Sequence, residues 1–274
     1  MGRYSFIKDY HKLSHQEIYD IAFHKLLMRM EDGKLIGNSQ RELFIPEINK
    51  QLEQPKSILD IGSGAGELIT LSNLGQLDSD ISAIEPQESF ETLYKDAVKK
   101  SQLNLKQYLK GSFQDSYSKI QDKFDLILGI HMIYHIDDVE DFINKCKSLL
   151  NPGGKLIFVY AKQEISLTVG AANHFYDSGT LRDIWNMRTK LIEQQMDSKV
   201  LESYLFAENE QELALMCMTG ELGNEIDSLD KRLESALEFI QTQSEKIHLK
   251  KVSSGLRQGL LQAYQPQVFS VYTA

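Results

Sequence analysis

The chain has 274 residues, enough to bury a large core, with 42% hydrophobic and 25% charged side chains. Its formal net charge of -9 lacks the electrostatic footprint that nucleic acid or an anionic membrane surface would need in a main partner. Cys146 and Cys217 lie far apart in helical patterns and read as small buried hydrophobes. Neither a disulfide nor a metal site is expected, and no apolar run approaches a membrane span, so a cytoplasmic protein is the expectation.

In chain order, apolar residues from His15 to Met30 recur at helical spacing, through Ile18, Ile21, Ala22, Leu26 and Leu27. Ser39 and Glu42 then form a capping-box pattern, so a second helix is expected from there, bent or interrupted near Pro46. From residue 55 the pattern changes to strands alternating with helices. "KSILDIG" and "DISAIEP" read as buried strands, the second ending on Glu85 and stopped by Pro86. "ESFETLYKDAVKK" places Phe90, Leu93, Tyr94, Ala97 and Val98 on one helical stripe. "NLKQYLKGS" is a weak third strand and "KFDLILGIHMI" a strong fourth. "DDVEDFINKCKSLL" opens on the capping residues Asp137 and Asp138 and aligns Val139, Phe142, Ile143, Cys146 and Leu150. "NPGG" reads as a turn and "KLIFVYA" as a fifth strand.

Beyond Ala161 the pattern weakens. Helices are expected around residues 178–196 and 230–247, a strand over "KVLESYLFA", and a solvated helix face at "KIHLKK". "PQVFSVYTA" suits a last strand in the same sheet. Near-continuous apolar strands separated by helices imply a parallel sheet covered on both faces, hence a doubly wound α/β fold. One domain is expected over 1–274: a helical N-terminal cover (1–54), a core (55–162), and helices with closing strands (163–274), including a helical excursion near 207–262.

The site signal is "SILDIGSGAGELITL", Ser57 to Leu71. A phosphate-gripping P-loop needs Gly-Lys-Ser/Thr, but Gly66 is followed by Glu67 and Leu68. A dinucleotide fingerprint needs a sixth-position glycine, where Glu67 stands and would repel a pyrophosphate. Asp-x-Gly-x-Gly-x-Gly remains, the loop of S-adenosylmethionine (AdoMet) binders, whose ligand carries no phosphate. Glu85 at the end of its strand suits two ribose hydroxyls, and Gly111-Ser112-Phe113 would lie along the adenine edge.

With "FDLILGIHMIYHIDD" and "LLNPGGKLIFV", these residues make residues 55–162 resemble the class I AdoMet-dependent methyltransferase family. "ILDIGSGAGE", "IEPQESFETLYKD", "GIHMIYHIDD" and "VFSVYTA" are most similar to small-molecule enzymes of the histamine N-methyltransferase type. The resemblance implies AdoMet as cofactor and a small-molecule acceptor, with nitrogen the expected acceptor atom. O-methylation of a small carboxylate or phenol, or an AdoMet-binding protein acting through a partner, are the alternatives. Cofactor contacts fall on Asp60, Gly62, Ser63, Gly64, Gly66, Glu85, Pro86, Ser112, Phe113 and Ile130. Asp60 would order the loop or face the methionine ammonium; its other reading is a buried carboxylate bonded to backbone amides.

His131 and Gln265 match substrate-contacting positions of the histamine type, and His131 is the catalytic candidate, with packing on the cofactor as its other reading. Tyr134 is a candidate pocket wall, and His135 is either wall or a capping histidine. His174, Phe175, Tyr176 and Trp185 could line the substrate side or simply fill the core. Phe90 stands where the histamine type has a glutamine. The glutamate with which that type grips its amine has no matched position, Glu42 being only near.

Overall fold

The computed structural model describes residues 17–18, 20–162, 167, 179–217 and 229–274. Two compact units emerge. One comprises 41–161, 187–201 and 267–274; the other comprises the chain up to Gln40, 162–186 and 202–266. The division cuts across the three consecutive stretches expected, because residues 187–201 and 267–274 return to the sheet of the first unit.

That sheet has seven strands: β3 (Ser57–Ile61), β4 (Asp80–Glu85), β5 (Asn104–Lys110), β6 (Phe124–Ile130), β7 (Leu150–Ala161), β8 (Asp197–Leu201) and β12 (Gln267–Thr273). Their order is β5-β4-β3-β6-β7-β12-β8. The pairs from β5 to β7 are parallel, and β12 runs antiparallel to both its neighbours. The fold is the mostly parallel doubly wound α/β class expected. The chain builds β3, β4 and β5 outward and then crosses back to β6, so the switch in strand order lies between β3 and β6, where such sheets bind ligands at their carboxyl ends.

Side-chain parity explains why both faces are buried. Leu59, Ile61, Ile127, Phe158 and Tyr160 join one core cluster, with Phe142 and Ile143 of the helix Val139–Ser148. Ile58, Leu126, Leu128, Ile157 and Val159 join the other, with Tyr94, Ala97 and Val98 of the helix Glu91–Lys99. Alternate residues of one strand thus enter opposite cores, which requires the continuous apolar runs seen in the sequence.

Several expectations need correction. Leu93 points outward at 50% exposure, and Leu150 opens β7 instead of closing the preceding helix. "NPGG" is absorbed into β7 as an irregularity, where pairing with β6 jumps from Phe124–Leu150 to Leu126–Lys155. The helix Gln40–Gln51 runs through Pro46 without a break. Its start is not the expected capping box: the Gln40 amide donates to Asn38 Oδ1, while Ser39 Oγ bonds the backbone of Tyr204. "KVLESYLFA" is two strands, β8 and β9 (Tyr204–Ala207), in different sheets.

The second unit contains a π-helical segment, Asp20–Leu27, where an α-helix is expected. It also contains a hairpin of β1 (Met30–Glu31) and β2 (Lys34–Leu35), turned at Asp32-Gly33 with positive φ at both residues. The helices Glu210–Cys217 and Leu229–Thr242 bear out part of the expected helical excursion. It ends in β10 (Lys250–Lys251) and β11 (Leu261–Tyr264), which pair antiparallel and, through β11, with β9. The two lysines closing "KIHLKK" therefore stand in a strand and not on a helix face. Both cysteines are buried and are not joined in a disulfide. Among the described residues, no helix is long and apolar enough to cross a membrane.

Candidate functional site

The carboxyl ends of β3, β4 and β6 converge on the glycine turn. Gly62, Gly64 and Gly66 all have positive φ, at 68°, 52° and 81°. A Cβ on Gly62 would lie 2.6 Å from Met132 Cβ, and one on Gly66 would lie 2.8 Å from Ala97 Cβ. These two glycines are demanded by the protein's own packing. Around Gly64 a Cβ would meet nothing within 4 Å. Only there does the turn present bare backbone to open space. Ser63 Oγ, beside it, is buried without a hydrogen-bond partner.

Glu85 secures this turn from the neighbouring strand. Its Oε2 accepts the Gly64 amide at 2.8 Å and its Oε1 accepts the Gln87 amide at 2.9 Å, in a side chain only 6% exposed. Burial raises the carboxyl pKa, and the two amide bonds hold it back. Each oxygen keeps further acceptor capacity for a ligand. Pro86 follows, exposed.

Asp60, the penultimate residue of β3, is 3% exposed and accepts the Tyr94 hydroxyl at 3.2 Å. Burial raises its pKa to about 7, with the Glu85 charge adding to the rise and the Tyr94 bond opposing it. The partner here is a side chain and not the backbone amides expected of a structural carboxylate.

Glu67 differs from its sequence reading. Arg41, from the helix Gln40–Gln51, places Nη2 2.6 Å from Glu67 Oε2, so the sixth-position carboxylate is paired with a cation. Its repulsion of phosphate is accordingly blunted; the missing Gly-Lys-Ser/Thr and sixth glycine still stand against the phosphate readings.

The adenine-edge candidates are occupied by their own fold. Ser112 caps the short helix Phe113–Ser116, accepting the Asp115 amide and donating to Asp115 Oδ2 at 2.7 Å. The Phe113 ring sits edge-on to Phe142 at 4.8 Å in the core. Ile130 closes β6, half-buried.

His131 follows with a left-handed backbone, φ 56°, its amide still paired to Val159 of β7 at 2.8 Å. That conformation is unusual for a non-glycine residue and turns the chain sharply off the strand end. Nδ1 lies 3.3 Å from Tyr134 Oη, while Nε2 is buried with no partner. Phe44 meets the ring edge-on at 5.9 Å. Burial first, then the Arg41 charge, lower the imidazole pKa to about 3, so the ring is neutral at physiological pH. Tyr134 Oη accepts the Ala161 amide at 2.5 Å, and Arg188 Nη1 donates to the Tyr134 carbonyl at 3.1 Å.

His135 is exposed on the turn Ile133–His135; Asp138, one residue past the Asp137 of the expected pair, caps the next helix at the Asp141 amide. Gln265 belongs to the second unit, buried, its amide bonded to the Ser203 carbonyl and its carbonyl accepting the Ser203 hydroxyl. His174, Phe175, Tyr176 and the Trp185 side chain lie outside the described residues. The structure thus gathers Asp60, the glycine turn, Glu85, His131 and Tyr134 at the carboxyl end of the sheet's parallel strands. It adds three residues that sequence reasoning did not place there: Arg41, Phe44 and the Asp60 partner Tyr94.

A family model described as a methyltransferase domain matches residues 38–202. The chain belongs to the methyltransferase domain family. It is 29% identical over 104 residues to the ubiquinone biosynthesis O-methyltransferase of Coxiella burnetii (strain Dugway 5J108-111), covering 38% of this chain and 42% of that protein. It is 27% identical over 164 residues to the mitochondrial ubiquinone biosynthesis O-methyltransferase of Rattus norvegicus, covering 51% and 45%. The methyltransferase-family chain therefore spans less than half the length of these curated relatives.

Two solved structures share the fold. One is described as a methyltransferase from Bacillus halodurans C-125, with TM-score 0.56, 11% identity and coverage of 86% of this chain and 98% of that one. The other is a SAM-dependent methyltransferase from Thiobacillus denitrificans in complex with S-adenosyl-L-homocysteine, with TM-score 0.50, 15% identity and coverage of 96% and 99%.

Proposed function

We propose that the protein is an AdoMet-dependent methyltransferase acting on a small molecule. The observation that carries this reading is the open backbone at Gly64, clamped by the Glu85 carboxylate at the strand-order switch of a methyltransferase-family fold. The residues present fit the cofactor. Gly64 leaves room for it, Glu85 keeps acceptor capacity for ribose hydroxyls, and Ser63 Oγ is a shielded polar atom in want of a partner. Ser112, Phe113 and Ile130 would border the adenine, and Asp60 would face the methionine ammonium or hold the loop through Tyr94.

The cofactor supplies a methyl group already activated by a positive sulfur. The protein's share is to align an acceptor with that methyl and keep water away, which proximity alone makes effective. His131 and Tyr134 stand at the end of β6, where an acceptor would be held. We read the acceptor atom as oxygen, supported by the likeness to the two O-methyltransferases of ubiquinone biosynthesis. A nitrogen acceptor is the second reading, supported by the segments similar to the histamine N-methyltransferase type.

Calorimetry with AdoMet and S-adenosylhomocysteine tests the core of the proposal, and binding of neither ends it. A methyl-transfer screen over phenols, carboxylic acids and amines then decides the acceptor atom. Binding without turnover of any acceptor class would leave a cofactor-binding protein that works through a partner.

A further inference from the structure

His131 presents an arrangement that reaches beyond that proposal while resting on it. The imidazole is engaged on one side only. Tyr134 Oη, which accepts the Ala161 amide at 2.5 Å, stands 3.3 Å from Nδ1. Nε2, on the far side, is buried and has no partner. A buried polar atom left unpaired costs free energy that a bound partner recovers. Holding the ring there also requires a left-handed histidine backbone, a strain of the kind that persists where the surroundings over-determine it.

We infer that Tyr134 is the positioning residue that donates to Nδ1 and fixes the tautomer with the proton on Nε2, so that Nε2–H holds an acceptor bound as an oxyanion, a phenolate or a carboxylate. A hydroxyl carries one proton, and a neutral imidazole has one donor and one acceptor nitrogen. With the Tyr134 proton spent on Nδ1, Nε2 can donate and cannot take a proton away.

The charges that bear on the ring agree. Among the described residues, the charge of Arg41, partly offset by its Glu67 partner, is the one that shifts the ring; Phe44 covers it with an uncharged edge, and Tyr134 is neutral. A donor beside a positive field attracts an anion and repels an ammonium. The reaction then balances without a base. An oxyanion lone pair forms the new carbon–oxygen bond while the carbon–sulfur pair returns to sulfur. A neutral ether or ester and a neutral thioether result, and no proton has to leave.

The test uses the full chain labelled with 15N-histidine, with the His131 signals assigned through His131→Asn, a substitution that tolerates the left-handed backbone. The expected spectrum has a pyrrole-type Nε2 and a pyridine-type Nδ1. Tyr134→Phe should drive the ring toward mixed tautomers and lower phenol turnover about tenfold, the worth of one hydrogen bond, while S-adenosylhomocysteine affinity stays unchanged. The wild-type rate should rise with ionisation of the phenol itself, across phenols of differing acidity. A pyridine-type Nε2 in the wild-type chain, or a larger kcat/KM for benzylamine than for a phenol of similar size, overturns the inference. A chain that binds no S-adenosylhomocysteine overturns the methyl-transfer reading instead, and the spectrum still decides the tautomer.

Discussion

The Glu85 carboxylate accepts the Gly64 amide at 2.8 Å, so the end of β4 grips the middle of the glycine turn that follows β3. One side chain therefore does two things: it shapes the turn and lines the space the turn leaves open. Glu85→Gln separates them poorly on purpose. It keeps one acceptor oxygen and turns the other into a donor facing a backbone amide. Affinity for S-adenosylhomocysteine should fall about 10- to 100-fold by calorimetry, the range for hydrogen bonds to a charged group. Unchanged affinity would remove Glu85 from the ribose site.

The three glycines should behave differently under the same substitution. Gly62→Ala and Gly66→Ala force a Cβ against Met132 and Ala97 and add strain at positive φ. Each should lose about 1–3 kcal/mol or more in a urea titration. Gly64→Ala meets no neighbour and should cost about 1 kcal/mol, yet its methyl would stand where the cofactor lies. A folded Gly64→Ala protein that binds S-adenosylhomocysteine normally would place the ligand elsewhere.

Asp60 predicts a pH dependence of stability with a definite sign. Its carboxyl pKa is raised in the folded chain to about 7, chiefly by burial, so the folded state keeps a proton that the unfolded state gives up near pH 4. Stability from this group is full below the unfolded value and is lost as pH rises through about 7, at up to about 1.4 kcal/mol per pH unit. Urea midpoints of the cofactor-free protein should fall between pH 5 and pH 8. In Asp60→Asn that fall should shrink. An unchanged pH slope in the variant would show that Asp60 is ionised throughout.

Arg41 joins the glycine turn to His131 electrostatically. Its guanidinium pairs with Glu67, and its charge helps keep the imidazole unprotonated. Arg41→Met keeps the stem and removes the charge, so the His131 titration midpoint should move upward from about 3 in an NMR pH series. The same variant strands Glu67 and should lose about 1–3 kcal/mol of stability. A midpoint that does not move would leave burial as the whole cause.

The parallel sheet was legible because strands buried on both faces are apolar along nearly their whole length, as "LIFVYA" is and as "SILDI" is apart from Ser57 and Asp60. β5 was faint for the converse reason: it is an edge strand with mostly exposed or half-exposed side chains, so nothing forces a pattern on it. Asp32-Gly33 carried a local hairpin signal that passed unread between the two expected helices. The second unit's three-stranded sheet had no such signal, since Tyr204–Ala207 and Leu261–Tyr264 meet across more than fifty residues. The glycine turn announced a ligand, but it could not show that two of its glycines serve packing. Arg41 and Phe44 were illegible as site residues because only the path of their helix brings them to Glu67 and His131.

The place of β12 has a consequence for how the protein is made. Gln267–Thr273 inserts between β7 and β8, antiparallel to both. On a ribosome, the ends of β3, β4 and β6 emerge early and can assemble while synthesis continues. β8, made some seventy residues before β12, has no place in the sheet until that strand arrives. Completion of the sheet is thus timed by its latest-made strand, and a nascent chain halted before residue 267 should expose the side of β7 as an unpaired edge open to another chain.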